Sequence, residues 1–188
     1  FNIAGGTHHA FSDRGEAFCL LNDQAIAAQY LFNQKKCHKI LIVDLDVHQG
    51  NGTAEIFQNN ADVITFSMHG QSNYPFRKET SDYDIALPDK TDDTTYLSIL
   101  QETLPELLNI HRPDFVFYLA GVDILGTDKL GKLGCTLEGC KTRDSYVLGL
   151  CKSLGIPVQV SMGGGYSPAI KTIIEAHANT YRVARALY

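Results

Sequence analysis

Two hydrophobic periods take turns along this chain. Compact apolar runs bounded by polar or glycine residues occupy positions 39–43, 62–67, 115–119 and 157–161, which reads as four strands. Between and around them, at 23–35, 94–111, 137–154 and 167–187, apolar residues recur at helical spacing. Tyr96, Ile99, Leu100, Leu104, Leu107 and Leu108, for instance, share one stripe. Pro105 in that segment either kinks the helix or starts a new one. The last helix should open on Ser167 as its cap, with Pro168 in the first turn. No element is assigned to the stretch between His69 and Thr94, and there is no internal repeat or linker.

Strands alternating with helices predict an α/β fold of three α/β/α layers with a mainly parallel sheet, whose sites lie beyond the carboxyl ends of the strands. The polar motifs fall there. Asp44, Asp46 and His48 follow the first run, Met68 and His69 the second, Gly121 to Asp123 the third, and Met162 to Tyr166 the fourth.

Composition narrows the class. The chain has 188 residues, 44% hydrophobic and 20% charged, which suits one soluble domain over 1–188. No run reaches the roughly 18 apolar residues of a membrane span, and the opening Phe-Asn-Ile-Ala-Gly-Gly lacks a signal peptide's basic start, so a cytoplasmic location is expected. A net charge of −5 and a pI near 5.7 leave no basic footprint for nucleic acid. The five cysteines are odd in number and without C-x-x-C spacing, and read as reduced thiols.

The densest chemistry is Asp44-Leu45-Asp46-Val47-His48. In extended chain Asp46 and His48 project the same way, which suits two ligands on one metal. Asp123, past the third run, is the best third ligand. The set fits Zn²⁺, or Fe²⁺ or Mn²⁺, with a position left for water. Taken alone, a D-x-H could equally cap turns at strand ends. Gly5-Gly6-Thr7-His8-His9 offers two imidazoles able to share acid and base work, with Asp44 and Asn51 as orienting partners. Gly163-Gly164-Gly165-Tyr166 brings a phenol that can donate to an oxyanion, although a glycine turn with a core Tyr has the same sequence.

Together these motifs resemble the zinc-dependent histone deacetylases and their bacterial relatives, the acetylpolyamine and acetoin-utilisation amidohydrolases. Gly6-Thr7-His8-His9-Ala10 is similar to that family's His pair, Ala17-Phe18-Cys19-Leu20-Leu21-Asn22-Asp23 to its Gly-Phe-Cys stretch, and Ala120-Gly121-Val122-Asp123 to the strand bearing its last ligand. Gly121-Val122-Asp123-Ile124-Leu125, Asp128-Lys129-Leu130-Gly131 and Asn51 make it resemble class IV most. The resemblance implies an arginase-deacetylase fold, N-terminally incomplete here, since family members carry a substantial portion before the His pair. It implies catalytic His8, His9 and Tyr166, metal ligands Asp46, His48 and Asp123, and a substrate tunnel formed by Phe18, Tyr74 and Gly164. A structural K⁺ would sit among Asp44, Asp46, His48, Ser67 and Met68. Ala17 stands where the family has Gly, which adds a methyl group beside the acyl chain.

The implied reaction is hydrolysis of an acyl-lysine peptide or protein, or of an acylated polyamine, with His8 and His9 as base and acid. No nucleic acid or membrane is an expected partner, and a homo-oligomer is compatible with the chain. Two rivals remain: a ureohydrolase of the arginase type, which wants more acids than Gln49, Gly50 and Asn51 supply, and a non-catalytic acyl-lysine or polyamine binding module.

Overall fold

The computed structural model describes residues 1–188. Its strands are β1 (Ile40–Asp44), β2 (Val63–Gly70), β3 (Tyr83–Leu87), β4 (Phe115–Leu119) and β5 (Val158–Ser161). The helices are α1 (Asp23–Asn33), α2 (Asn51–Phe57), α3 (Asp93–His111), α4 (Leu137–Ser153) and α5 (Ile170–Leu187). All five strands are parallel, in the order β3-β2-β1-β4-β5. The chain therefore leaves β1 toward one edge through β2 and β3, then returns to its other side with β4 and β5. The reversal between β1 and β4 opens a crevice at their carboxyl ends, where ligands of open α/β sheets bind.

Both faces of the sheet are covered, and β1 and β2 are buried throughout, β1 being apolar up to Asp44 and β2 carrying Thr65, Ser67 and His69 between its apolar residues. Leu41 and Val43 point into a core of 29 buried residues shared with α3, α4 and α5. Ile40 and Ile42 point the other way, into a cluster of 8 with Ala25 and Ala28 of α1 and Phe57 of α2. One helical layer is thick and the other thin.

Helix starts follow local chemistry where a capping side chain is present. Asn22, Asp92 and Thr136 each accept a hydrogen bond from a first-turn backbone N–H and open α1, α3 and α4. Pro105 lies inside a continuous α3. It cannot donate to the carbonyl of Gln101 four residues back, and the Tyr146 hydroxyl donates to that oxygen instead, at 3.3 Å. Ser167 does not cap α5. That helix starts after Ala169, and the Ser167 hydroxyl bonds to Thr127 Oγ1 at 2.8 Å.

Three other expectations change. β2 runs on to Gly70, so Met68 and His69 lie within the strand and not beyond its end. β3 and α2 are elements that periodicity passes over. β3 is an edge strand of alternating exposure, and polar Asp84 interrupts its apolar side chains. α2 spans 7 residues starting Asn-Gly-Thr, too short and too poor in helix formers to stand alone. It forms because it packs on the His loop, where the Thr53 N–H donates to the carbonyl of His8 at 3.1 Å.

Candidate active site

Asp46 and His48 follow β1, Asp123 follows β4, and the three meet in the crevice. Their nearest ligand atoms all lie within 4.8 Å of one another, and all three residues are buried. His48 Nδ1 stands 3.0 Å from Asp46 Oδ1 and 3.1 Å from Asp123 Oδ2. Backbone donors hold the other carboxylate oxygens: Gly164 N–H reaches Asp46 Oδ2 at 2.7 Å, and Val47 N–H reaches Asp123 Oδ1 at 3.0 Å. Each carboxylate thus keeps one oxygen turned toward the imidazole.

Burial and the adjacent Asp46 carboxylate push Asp123 up to about 7. Burial acts in the same direction on Asp46, yet His8 and His48 hold its carboxyl well below the usual range. The two carboxylates also overcome burial at His48 and raise it to about 10, so the cluster draws positive charge, which a divalent cation would supply in place of protons. One nitrogen and two carboxylate donors are a set that zinc accepts, with a fourth position free.

The His pair arrives from the opposite wall on a loop fixed by Asp23, in the first turn of α1. The Asp23 carboxylate accepts from Thr7 N–H at 2.9 Å, Thr7 Oγ1 at 2.7 Å, Gly6 N–H at 3.1 Å and Ser161 Oγ at 3.1 Å. Gly6 has φ +97°, and a Cβ there would meet Gly163 Cα at 2.6 Å. This close approach of two backbones requires glycine. His8 Nδ1 pairs with Asp44 Oδ2 at 2.6 Å, and His9 Nδ1 with Asn51 Oδ1 at 2.7 Å. Burial alone would lower both imidazoles. Asp44 and Asp46 overcome it at His8, raising it to about 9, whereas the charge on His8 adds to burial at His9 and takes it to about 3.

A cavity of about 470 Å³ rises from these groups to the surface, lined by Phe18, Tyr74, Phe76, Leu130, Gly164 and Tyr166 among others. The Phe18 ring lies 6.0 Å from that of Tyr166, and Tyr74 stands edge-on to His9 at 5.1 Å. Tyr166 is set by its backbone N–H, which donates to Asp128 Oδ2 at 2.6 Å, and burial with nearby Asp46 raises its hydroxyl far above its usual range. Phe18, at 79% exposed, forms the rim. Asp44 and Ser67 are register partners on β1 and β2, but the Ser67 hydroxyl is engaged with His69 Nδ1 at 3.0 Å.

Three contributors escape sequence reasoning. Asp23 stands at the end of the Ala17–Asp23 stretch, but nothing in the sequence ties it to the His loop. Glu16 contacts Asn51 and Tyr74. Arg143, fully buried, donates to the carbonyls of Leu45 at 3.2 Å and Gly121 at 2.7 Å, just before the metal-site residues of two strands. Arg143 left a trace in the pattern, since it and Asp144 fall on the apolar stripe of α4.

The parallel sheet, its flanking helices and its strand-end crevice define the arginase-deacetylase fold. The crystal structure of acetylpolyamine aminohydrolase from Burkholderia pseudomallei matches with a TM-score of 0.80 and 28% identity, over 98% of this chain and 55% of that one. The histone deacetylase domain model matches residues 1–181, and the chain belongs to the histone deacetylase family. An uncharacterised protein of Picosynechococcus sp. is 49% identical over 187 residues, covering 100% of this chain and 62% of that protein. Histone deacetylase 2 of Arabidopsis thaliana is 31% identical over 176 residues, covering 92% of this chain and 46% of its own length. The chain thus spans between 40% and 62% of the length of the curated relatives it matches.

Proposed function

We propose that this chain is the catalytic part of a zinc-dependent amidohydrolase that removes acetyl or longer acyl groups from lysine side chains or similar amines. The observation that carries the reading is one buried Asp-His-Asp cluster beside a buried imidazole pair, both opening into the 470 Å³ cavity. A cavity of that size, mainly apolar at its walls, suits an extended acyl chain. The names of the relatives point to acylated proteins or polyamines as substrates. Asp46, His48 and Asp123 would hold the cation, with Fe²⁺ or Mn²⁺ as alternatives to zinc. A divalent ion there supplies Lewis acidity to the acyl carbonyl and to an attacking water.

The chain's own groups divide the remaining work. His9, kept neutral, accepts the proton of the water at Nε2, and His8, kept charged by Asp44, donates one to the departing amine. This reverses the order expected from the sequence, and the asymmetry of Asp44 against Asn51 is the cause. The Tyr166 hydroxyl, held protonated, donates to the developing oxyanion. Phe18, Tyr74 and Gly164 line the acyl path. A K⁺ near Asp44, Asp46, His48, Ser67 and Met68 would sit beneath the site as a structural ion.

The test measures metal content alongside hydrolysis of acetyl-lysine, long-chain acyl-lysine and acetylpolyamine substrates. The expected outcome is one divalent metal per chain with turnover on at least one of them. Tyr166→Phe should lower turnover by roughly 3 to 4 kcal/mol of transition-state stabilisation and spare metal content. Urea release with two metals, or tight substrate binding without turnover, would replace this reading by the ureohydrolase or the binding module.

A further inference from the structure

The two imidazoles of the pair rest on unequal supports. His8 meets a buried carboxylate directly, at 2.6 Å from Asp44. His9 meets an amide, at 2.7 Å from Asn51 Oδ1, and an amide has two unlike ends. If the oxygen faces the ring, Nδ1 carries the proton and Nε2 is a free base toward the cavity. With the amino group facing the ring, the proton moves to Nε2 and the base is lost. Nothing in Asn51 itself chooses between these states.

The choice is made one residue further out. Asn51 Nδ2 donates to Glu16 Oε1 at 2.7 Å. An ionised carboxylate only accepts, so it holds the amino end of Asn51 and leaves the oxygen for His9. The same Oε1 accepts from the Tyr74 hydroxyl at 2.6 Å, and burial with this carboxylate raises that hydroxyl to about 12, so it remains a donor. Glu16 is itself clamped. Its N–H and carbonyl both pair with Cys19 at 2.9 Å, closing a tight turn with Ala17 and Phe18 at the tip. Arg14 lies 3.7 Å from its other oxygen.

We propose that Glu16 is a positioning residue which, through Asn51, sets the tautomer of His9 and at the same time clasps the Phe18 wall of the cavity to the Tyr74 wall. Its effect on turnover rests on the amidohydrolase reading above; its effect on the tautomer does not. A carboxylate one amide away fixes a hydrogen on His9 Nδ1, as Asp44 does for His8 by contact, without placing its charge on the imidazole. The chemistry needs this because the neutral base must present Nε2, and Glu16 penalises the wrong tautomer by leaving two acceptors face to face, either Nδ1 against Asn51 Oδ1 or, with the amide turned, Asn51 Oδ1 against its own carboxylate.

The test uses the zinc-loaded protein with isotope-labelled histidine, in which imidazole nitrogen NMR reads the ring nitrogen that carries hydrogen. The expected native state of His9 is Nδ1–H. Glu16→Ala should give a mixture of both tautomers and lower kcat by about tenfold, whatever follows at KM from the lost Tyr74 contact. Adding Asn51→Asp to Glu16→Ala puts an acceptor-only group directly on His9. That double variant should restore the hydrogen on His9 Nδ1, which a merely structural role for Glu16 would not produce. An Nε2–H tautomer in the native protein, or an undiminished Nδ1–H signal in Glu16→Ala, overturns the assignment. A native protein that turns over no acylated amine removes the functional reading, and the spectra still decide the role of Glu16.

Discussion

Asp46, His48 and Asp123 hang from strand ends that a core of 29 residues supports, whereas His8, His9, Phe18 and Tyr74 sit on loops that side-chain hydrogen bonds tie down. In the first region position comes from packing and from two backbone donors, Gly164 and Val47, just beyond the ends of β5 and β1. In the second it comes from Asp23, Asp44, Asn51 and Glu16, each reaching across from another element. Damage to the strand-end half should therefore appear as lost stability and lost metal. Changes in the loop half should appear as lost turnover in a folded, metalled protein.

The strongest way to break this comparison is Arg143→Leu. Arg143 donates to two carbonyls of the strand-end half and pairs with Asp144 at 2.8 Å, both side chains fully buried. Removing it strands the Asp144 charge in the core and should cost about 3 to 5 kcal/mol of unfolding free energy, with metal content falling in parallel. Denaturant titration and metal analysis check both. Retained stability and metal would mean that the core does not carry this half.

Next in size is pH. Burial and the charge of Arg143 lower His177 to about 4 from an ordinary 6.5, and it packs under the tyrosine loop against Gly165. Its folded value lies below its unfolded one, so the unfolded chain takes up the proton first as pH falls. Its contribution to stability should decline from about pH 6.5 down to about 4, by at most about 3 kcal/mol, and level off below. Melting curves across that window measure the slope, and His177→Gln should reduce it to the part that His69 and His9, lowered in the same direction, supply.

A smaller effect is expected in the loop half from Asp23→Asn. Burial would raise this carboxyl, but hydrogen bonds from Thr7, Ser161 and Gly6 hold it low. The amide keeps the shape and weakens those bonds, so stability should fall by about 2 kcal/mol while metal content holds and turnover drops disproportionately. Metal loss equal to the activity loss would merge the two halves. The smallest effect sharpens the picture at the rim. Ala17 has φ +51°, in the left-handed region where a Cβ is strained, between the paired Glu16 and Cys19. Ala17→Gly should stabilise the turn by about 1 kcal/mol and widen the path beside Phe18, read as a gain in melting temperature and a shifted acyl-length preference.

Much of this was legible beforehand, for a physical reason. A buried parallel strand must be a continuous apolar run and a half-buried helix must show its stripe, so β1, β2, β4, β5 and the four longer helices declare themselves in local pattern. The D-x-H pair is also local in sequence, although Asp46 and His48 come together in a bend beyond the end of β1 and not in extended chain. β3 was hidden because an edge strand needs only half of that pattern. α2 was hidden because its stability comes from the His loop beneath it and not from its own residues.

What sequence alone determined is therefore the alternation of elements and the kinds of side chain placed at strand ends. The tertiary structure decided which of those side chains meet and which remote groups set their charge and orientation. Asp23 reaches Thr7, Arg143 reaches Leu45, and Glu16 reaches Asn51 across 16, 98 and 35 positions of chain. No local period encodes such pairs. They exist because the sheet reverses its strand order between β1 and β4 and so brings distant loops to one crevice.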